Sequence, residues 1–275
     1  MASNRLKTGL AILAATATGY GLLAYVALPS AWSHYEHQKR LEGLSMVTQT
    51  SQGIPGDPLN VGLVGSQDDI VCAMHAAGWY PADPITLRSS LRLIGSVLLA
   101  RPYPDAPVSV LTYQGRREDL AFEKPDGKRA NRRHHVRFWQ VLNQGDEGRA
   151  VWLGSATFDR SVGLSHYTGQ VTHHIASNID AEREQLADDL ANARVVQGVY
   201  EVSGIGPTFN ARNGEGDPYS TDGEVKISRL VEACTQRVDS VVKFENPPLV
   251  NARNLVWKNL IKLLEGDRSL EQADN

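Results

Sequence analysis

The segment RRHHVRFWQVL, Arg132 to Leu142, gathers more ionisable and aromatic chemistry than any other stretch of the chain. On a strand, alternate residues face opposite ways, so His134, Val136 and Phe138 share one face and Arg133, His135, Arg137 and Trp139 share the other. The first face suits a core. The second is a cationic stripe ending in an aromatic ring, the chemistry that holds a carboxylate or a phosphate. The following segment, Val151 to Asp159 (VWLGSATFD), also alternates, and an antiparallel hairpin must match apolar faces because a one-residue slip turns every side chain over. Setting Val136 opposite Ala156 and His134 opposite Phe158 places His135 beside Thr157, Arg137 beside Ser155 and Arg133 beside Asp159. The candidate ligand-binding set is therefore Arg133, His135, Arg137, Trp139, Ser155, Thr157 and Asp159. The alternative is a solvated sheet face carrying cross-strand ion pairs.

A second cluster is VTHHIASNIDAEREQL. Asp180 stands three residues beyond Ser177, which a helix cap explains without chemistry. His173 and His174 precede that cap. Imidazole and carboxylate are ordinary zinc or iron ligands, so His135, His173, His174 and Asp159 form a candidate metal set, with Asp180 or a bound water as the base of a hydrolase. The spacing carries none of the recognised metal motifs, and hydrogen-bonded histidines are the alternative. The chain also lacks a G-x-S-x-G elbow, a Walker P-loop and a dinucleotide fingerprint.

These residues must be positioned by a chain of 275 residues with net charge −3, 41% hydrophobic and 21% charged. That is the composition of a folded protein, and its near-neutral balance gives no electrostatic case for nucleic acid. Two cysteines, Cys72 and Cys234, are too few for a disulfide scaffold; they either pair or stay as separate buried thiols. From Thr8 to Tyr35 there is no Asp, Glu, Lys or Arg, and Leu10 to Leu28 covers roughly 28 Å as a helix, about the thickness of a bilayer core. A cleaved signal peptide is the alternative, but after Leu28 the chain reads Pro29, Ser30, Ala31, Trp32, a poor match to a cleavage site, so residues 1–35 read as a retained anchor. Arg5 and Lys7 precede the span, favouring an internal N-terminus and an external domain, with Trp32 and Tyr35 at the interface.

Residues 36–57 read as a linker, rich in Gly, Pro, Ser, Thr and Gln near its end. The domain then runs over residues 58–265, with a frayed tail at 266–275. A short strand in PLNVGLVG leads to a capping box, Ser66 with Asp69, opening a helix from Gln67 to Ala77. Ile85 to Ala100 reads as a second helix. Strands follow at Pro107–Gln114, Asp119–Lys124, Arg132–Leu142 and Arg149–Phe158, then a helix Asp180–Ala193, strands Val195–Val202 and Glu224–Leu230, and a last helix Leu249–Leu264. Residues 206–223 read as a loop. The last helix carries an apolar stripe, Val256, Leu260, Leu263 and Leu264, expected to dock on the domain rather than lie on the membrane. The pattern is α+β, a mainly antiparallel sheet with helices on one side.

GSQDDIVCAMHAAGWYPADPIT, APVSVLTYQGRREDLAFEK, RRHHVRFWQV, VWLGSATFDRSVG and THHIASNIDAERE, in that order, resemble the LssY C-terminal domain family of bacterial proteins over roughly Pro58 to Val202. The resemblance implies a bacterial envelope protein; the family takes its name from a component proposed for type I secretion, and its biochemical role is not established. The positions matching its most distinctive motifs are His134, His135, Arg137, Trp139, Asp159, His173, Asp180 and Arg183. Related domains sit behind membrane regions resembling DedA proteins and type 2 phosphatidic acid phosphatases, but the phosphatase signature is absent here: Arg160 and His166 keep the spacing of one of its elements, and Gln170 stands where its Asp should be. The expectation is thus a single-pass inner-membrane protein, N-terminus cytoplasmic and domain periplasmic. It would be an accessory domain holding an anionic ligand. A metal-dependent hydrolase and a module assembling membrane-protein partners are the alternatives.

Overall fold

The computed structural model describes residues 2–33, 37–50, 52–82, 111–127, 132–165, 169, 171–232 and 237–271. Helix α1 (Ala2–Leu22) passes through a π-turn, Leu23–Ala27, into α2 (Leu28–Ser33). Pro29 has no N–H to return to the carbonyl four residues back, which accounts for the wider turn just before it. Asn4–Ser30 is long and apolar enough to cross a membrane, with a mean hydropathy of 1.7.

Among the described residues, the chain beyond the apolar helix builds three sheets, of nine, four and two strands. Strands β1 (Val47–Thr50), β2 (Pro55–Pro58), β3 (Val61–Val64), β4 (Tyr80–Pro81), β5 (Leu111–Tyr113), β6 (Arg116–Arg117), β7 (Leu120–Pro125), β8 (Arg133–Leu142), β9 (Val151–Leu164) and β10 (Val171–Ile175) come first, with helix α3 (Gln67–Ala76) between β3 and β4. Helix α4 (Ile179–Asn192) then precedes β11 (Val196–Ser203), β12 (Thr208–Arg212), β13 (Pro218–Thr221), β14 (Glu224–Leu230), β15 (Val242–Lys243) and helix α5 (Pro248–Glu271). The large sheet runs β15-β11-β14-β3-β9-β8-β7-β4, with β10 paired to β9, and the four-stranded one runs β2-β1-β5-β6. Pairing is antiparallel except for β14 with β3 and β11 with β15. This is the expected α+β class, and the β7-β8-β9 meander is present.

The two faces of β8 and β9 separate as alternation requires. On one side Val136, Phe138, Trp152 and Ala156 pack with Ile70 and Met74 of α3 and Leu186 and Leu190 of α4. On the other, Trp139, Val151 and Leu153 pack with Leu111 and Tyr113 of β5 and with Leu59, Tyr200 and Ile227. The Ser66–Asp69 capping box is present, both of its hydrogen bonds made.

Several expectations change. The reading of 36–57 as a linker fails: β1 and β2 form a hairpin there, Thr48 is fully buried, and its hydroxyl donates to the Asp57 carbonyl. Local periodicity could not show this, because the hairpin's partner, β5, comes some sixty residues later. The 206–223 loop contains the β12–β13 hairpin. Helix α5 continues to Glu271, into the expected frayed tail. Asn178, not Ser177, caps α4, its side chain accepting from the Ala181 N–H. The Ile85–Ala100 helix and most of the Pro107–Gln114 strand lie outside the described residues.

The close approach of β8 and β9 is set at Gly154, opposite Phe138. A Cβ at Gly154 would lie 2.6 Å from the Phe138 ring and 2.8 Å from the Arg137 carbonyl oxygen. Gly154→Ala is therefore expected to cost about 1–3 kcal/mol by overpacking, read as a lowered urea midpoint; an unchanged midpoint would contradict this packing.

Candidate functional site

The hairpin pairs Arg133 with Asp159, His134 with Phe158, His135 with Thr157, Val136 with Ala156 and Arg137 with Ser155. This is the register that apolar matching demands. The polar face it creates is not solvated: Arg133, His135, Arg137, Ser155, Thr157 and Asp159 are all at most 3% exposed. Buried charges persist only when paired and hydrogen-bonded, so the partners define the site.

Arg133 uses its whole fork. Nη1 donates to Glu123 Oε2 at 2.6 Å, Nε to Asp159 Oδ2 at 3.0 Å, and Nη2 reaches His173 Nε2 at 3.2 Å. His135 places Nδ1 2.9 Å from Asp159 Oδ1, while its Nε2 lies 2.7 Å from Thr157 Oγ1 and 3.1 Å from Arg137 Nη1. A guanidinium cannot accept, so Nε2 must, and the ring proton belongs on Nδ1, facing Asp159. The same reasoning makes His173 Nε2 an acceptor from Arg133. Arg137 Nη1 stands 3.8 Å from Asp57 Oδ2, and Asp57 is held by Asn213.

Two partners escaped sequence reasoning. Glu123 sits on β7 opposite His135, a cross-strand position that pairing β7 with β8 would have revealed. Asp57 comes from β2, within the supposed linker, where no local signal marks it.

Other expectations are corrected. Trp139 does not end an open cationic stripe: it is fully buried against Tyr113, and its indole N–H donates to the Arg116 carbonyl. His174 does not join His173, because neighbours on a strand point apart; its Nδ1 lies 2.9 Å from Asp217 Oδ1. Asp180 is not available as a base, since it accepts from Thr221 Oγ1 at 2.6 Å and from the Asp222 N–H at 2.8 Å. Of the metal set, His135 and His173 both turn Nδ1 toward Asp159, at 2.9 and 3.9 Å, whereas His174 does not join them. Among the described residues no group of three or more His, Cys, Asp or Glu is placed to hold a metal ion, and the cation beside Asp159 and His173 is the Arg133 guanidinium. The solvated-face alternative fails too, because these side chains are buried.

The electrostatics follow from burial. Burial disfavours ionisation of Asp159, but His135, His173 and Arg133 reverse this and hold its carboxyl well below the usual range. Burial lowers His173 to about 3, with Asp159 opposing and Arg133 adding to the shift. On the helix side burial works against charging His134, yet the hydrogen bond and charge of Glu182, 2.8 Å away, raise its pKa overall.

His173 gives this cluster a pH signature. The unfolded chain binds a proton there below about 6.5, while the folded chain stays neutral down to about 3. Stability is thus fully present above the unfolded value and falls with acidification across that window, by up to about 1.4 kcal/mol per pH unit. His173→Gln, which keeps an acceptor for Arg133, is expected to flatten this acid limb by about one proton in urea titrations at several pH values; an unchanged slope would contradict the assignment.

Cys72 on α3 is disulfide-bonded, and Cys234 is the chain's other cysteine. No curated protein and no solved structure matches the chain. A family model described as LssY C-terminus matches residues 39–225, beginning before β1 and ending within β14. The match takes in every strand that lines the buried cluster, and with the apolar N-terminal helix it fits a membrane-anchored domain. The chain belongs to the LssY C-terminus family.

Proposed function

We propose that this chain is a membrane-anchored, extracytoplasmic domain that holds a small anionic group, a phosphate or a carboxylate, at the Arg137–Ser155 rung of its buried cluster. Sidedness is supported by Arg5 and Lys7 before the span and by the disulfide at Cys72, a bond characteristic of oxidising compartments. The observation that carries the ligand reading is Ser155: its hydroxyl is fully buried and has no hydrogen-bond partner. Leaving a buried hydroxyl unsatisfied costs about 1–3 kcal/mol, and a cationic guanidinium stands opposite it in register. An anion of one or two oxygens would accept from both. Arg133 contributes by position, since Glu123, Asp159 and His173 occupy its donors.

The test uses the full chain in detergent, with inorganic phosphate and, separately, acetate as probes. Phosphate, acetate or both should raise the melting temperature, a ligand at 100 times its Kd adding about 2.7 kcal/mol. Ser155→Ala should melt at or above the wild-type temperature without ligand and lose the ligand-dependent increment. No increment in the wild type, or an equal one in the variant, would overturn the proposal.

A hydrolytic reading has its own support. Hydroxyl, imidazole and carboxylate stand in series as Thr157, His135 and Asp159, with the hydroxyl oxygen 2.7 Å from His135 Nε2. His135 Nε2 already accepts from Arg137, which ranks this second. A covalent acyl adduct on Thr157 after incubation with an activated ester, absent in Thr157→Val, would raise it to first.

A further inference from the structure

Helix α5 docks by a different face from the one its apolar pattern suggests. Val250 is buried, Trp257 stacks on Phe209 at 4.0 Å between ring centroids and donates its indole N–H to the Thr221 carbonyl, and Arg253 pairs with Glu224. The adjoining face carries Leu249, Val256, Leu260 and Leu263 at helical spacing, and these are 52, 59, 41 and 71% exposed. Four large aliphatic side chains along one exposed helix face form a contiguous patch, not isolated surface residues.

What covers the patch can be argued from where the helix lies. The apolar N-terminal helix ends at Ser33, and His37, already part of the domain, packs its ring 5.0 Å from Tyr200 and 5.8 Å from Phe244. Four residues of fully extended chain reach about 14 Å at most, so the Tyr200–Phe244 surface is held near the end of the membrane-crossing segment. Helix α5 starts four residues after Phe244, and Asn246 beside it bonds to Glu201. A second observation agrees. A cavity of about 350 Å³ is lined by Pro29 of the apolar helix together with Leu41, Leu44, Met46, Val202 and Ser203. Ser203, at the end of β11, is the register partner of Glu224, the residue that Arg253 of α5 engages. Lys258 is exposed off the apolar stripe, as in helices that lie at a bilayer surface with cations toward the headgroups.

We infer that α5 lies along the bilayer surface with Leu249, Val256, Leu260 and Leu263 in the acyl boundary, making a second membrane contact that fixes the domain's orientation on its anchor. This rests on the membrane-anchored reading and is independent of the ligand. The test uses the full chain in nanodiscs of phosphatidylcholine and phosphatidylglycerol, spin-labelled one site at a time through Leu260→Cys, Lys258→Cys or Ile12→Cys; Cys72, being disulfide-bonded, does not take the label. Collision rates with oxygen and with a water-soluble nickel chelate are compared. The label at 260 is expected to show a several-fold higher oxygen-to-nickel ratio than that at 258, approaching the ratio at 12. Equal, water-like ratios at 258 and 260 would overturn the inference, as would dipolar broadening between labels at 260, which would assign the face to a second copy of the chain. A water-like ratio at 12 would instead reject the anchor itself.

Discussion

The pairing of Arg133 with Asp159 across β8 and β9 is the constraint on which the rest of the structure depends. Because strand side chains alternate, that one register decision sends Val136, Phe138 and Ala156 to the helices and Arg133, His135, Arg137, Ser155 and Thr157 to the opposite face. A slip by one residue would put guanidinium groups against Ile70 and Leu186 and expose the aromatic core to the polar side. Gly154 enforces the same register sterically, since only a residue without a side chain admits the Phe138 ring.

Burying such a cluster is expensive unless every charge is answered. Desolvation alone would cost several kcal/mol per ion, and the fold responds by bringing Glu123 from β7 and Asp57 from β2 against the two arginines. The imidazoles serve as connectors, each accepting from an arginine on one nitrogen and turning the other toward Asp159. This matched arrangement replaces the free cationic stripe suggested by β8 alone. In the proposed reading the ligand therefore sits at the level of Ser155 rather than at Arg133, whose donors are taken.

What could be read from the residues was whatever depends on short-range order. The alternation in RRHHVRFWQVL, the matching of its apolar face to VWLGSATFD and the Ser66–Asp69 capping box are local statements, and the structure has all three. What escaped depends on partners far apart in the chain. Residues 47–58 look featureless because their pairing partner is β5, and Asp57 matters only once β2 lies over Arg137. β3 sits between β9 and β14, an insertion no adjacent turn announces. The stripe on α5 was correctly seen as apolar and wrongly assigned to docking, because Trp257 and Val250, outside that stripe, make the contacts with the domain.

A double-mutant cycle on Arg133 and Asp159 tests the central claim most directly. With Arg133→Met and Asp159→Leu measured singly and together by urea unfolding, each single change strands a buried charge and should cost about 3–5 kcal/mol. The double variant should be less destabilised than the sum by well over 1 kcal/mol, the coupling expected of residues sharing one network. Costs that simply add would show that the two side chains do not answer each other, and that the buried cluster is organised in some other way.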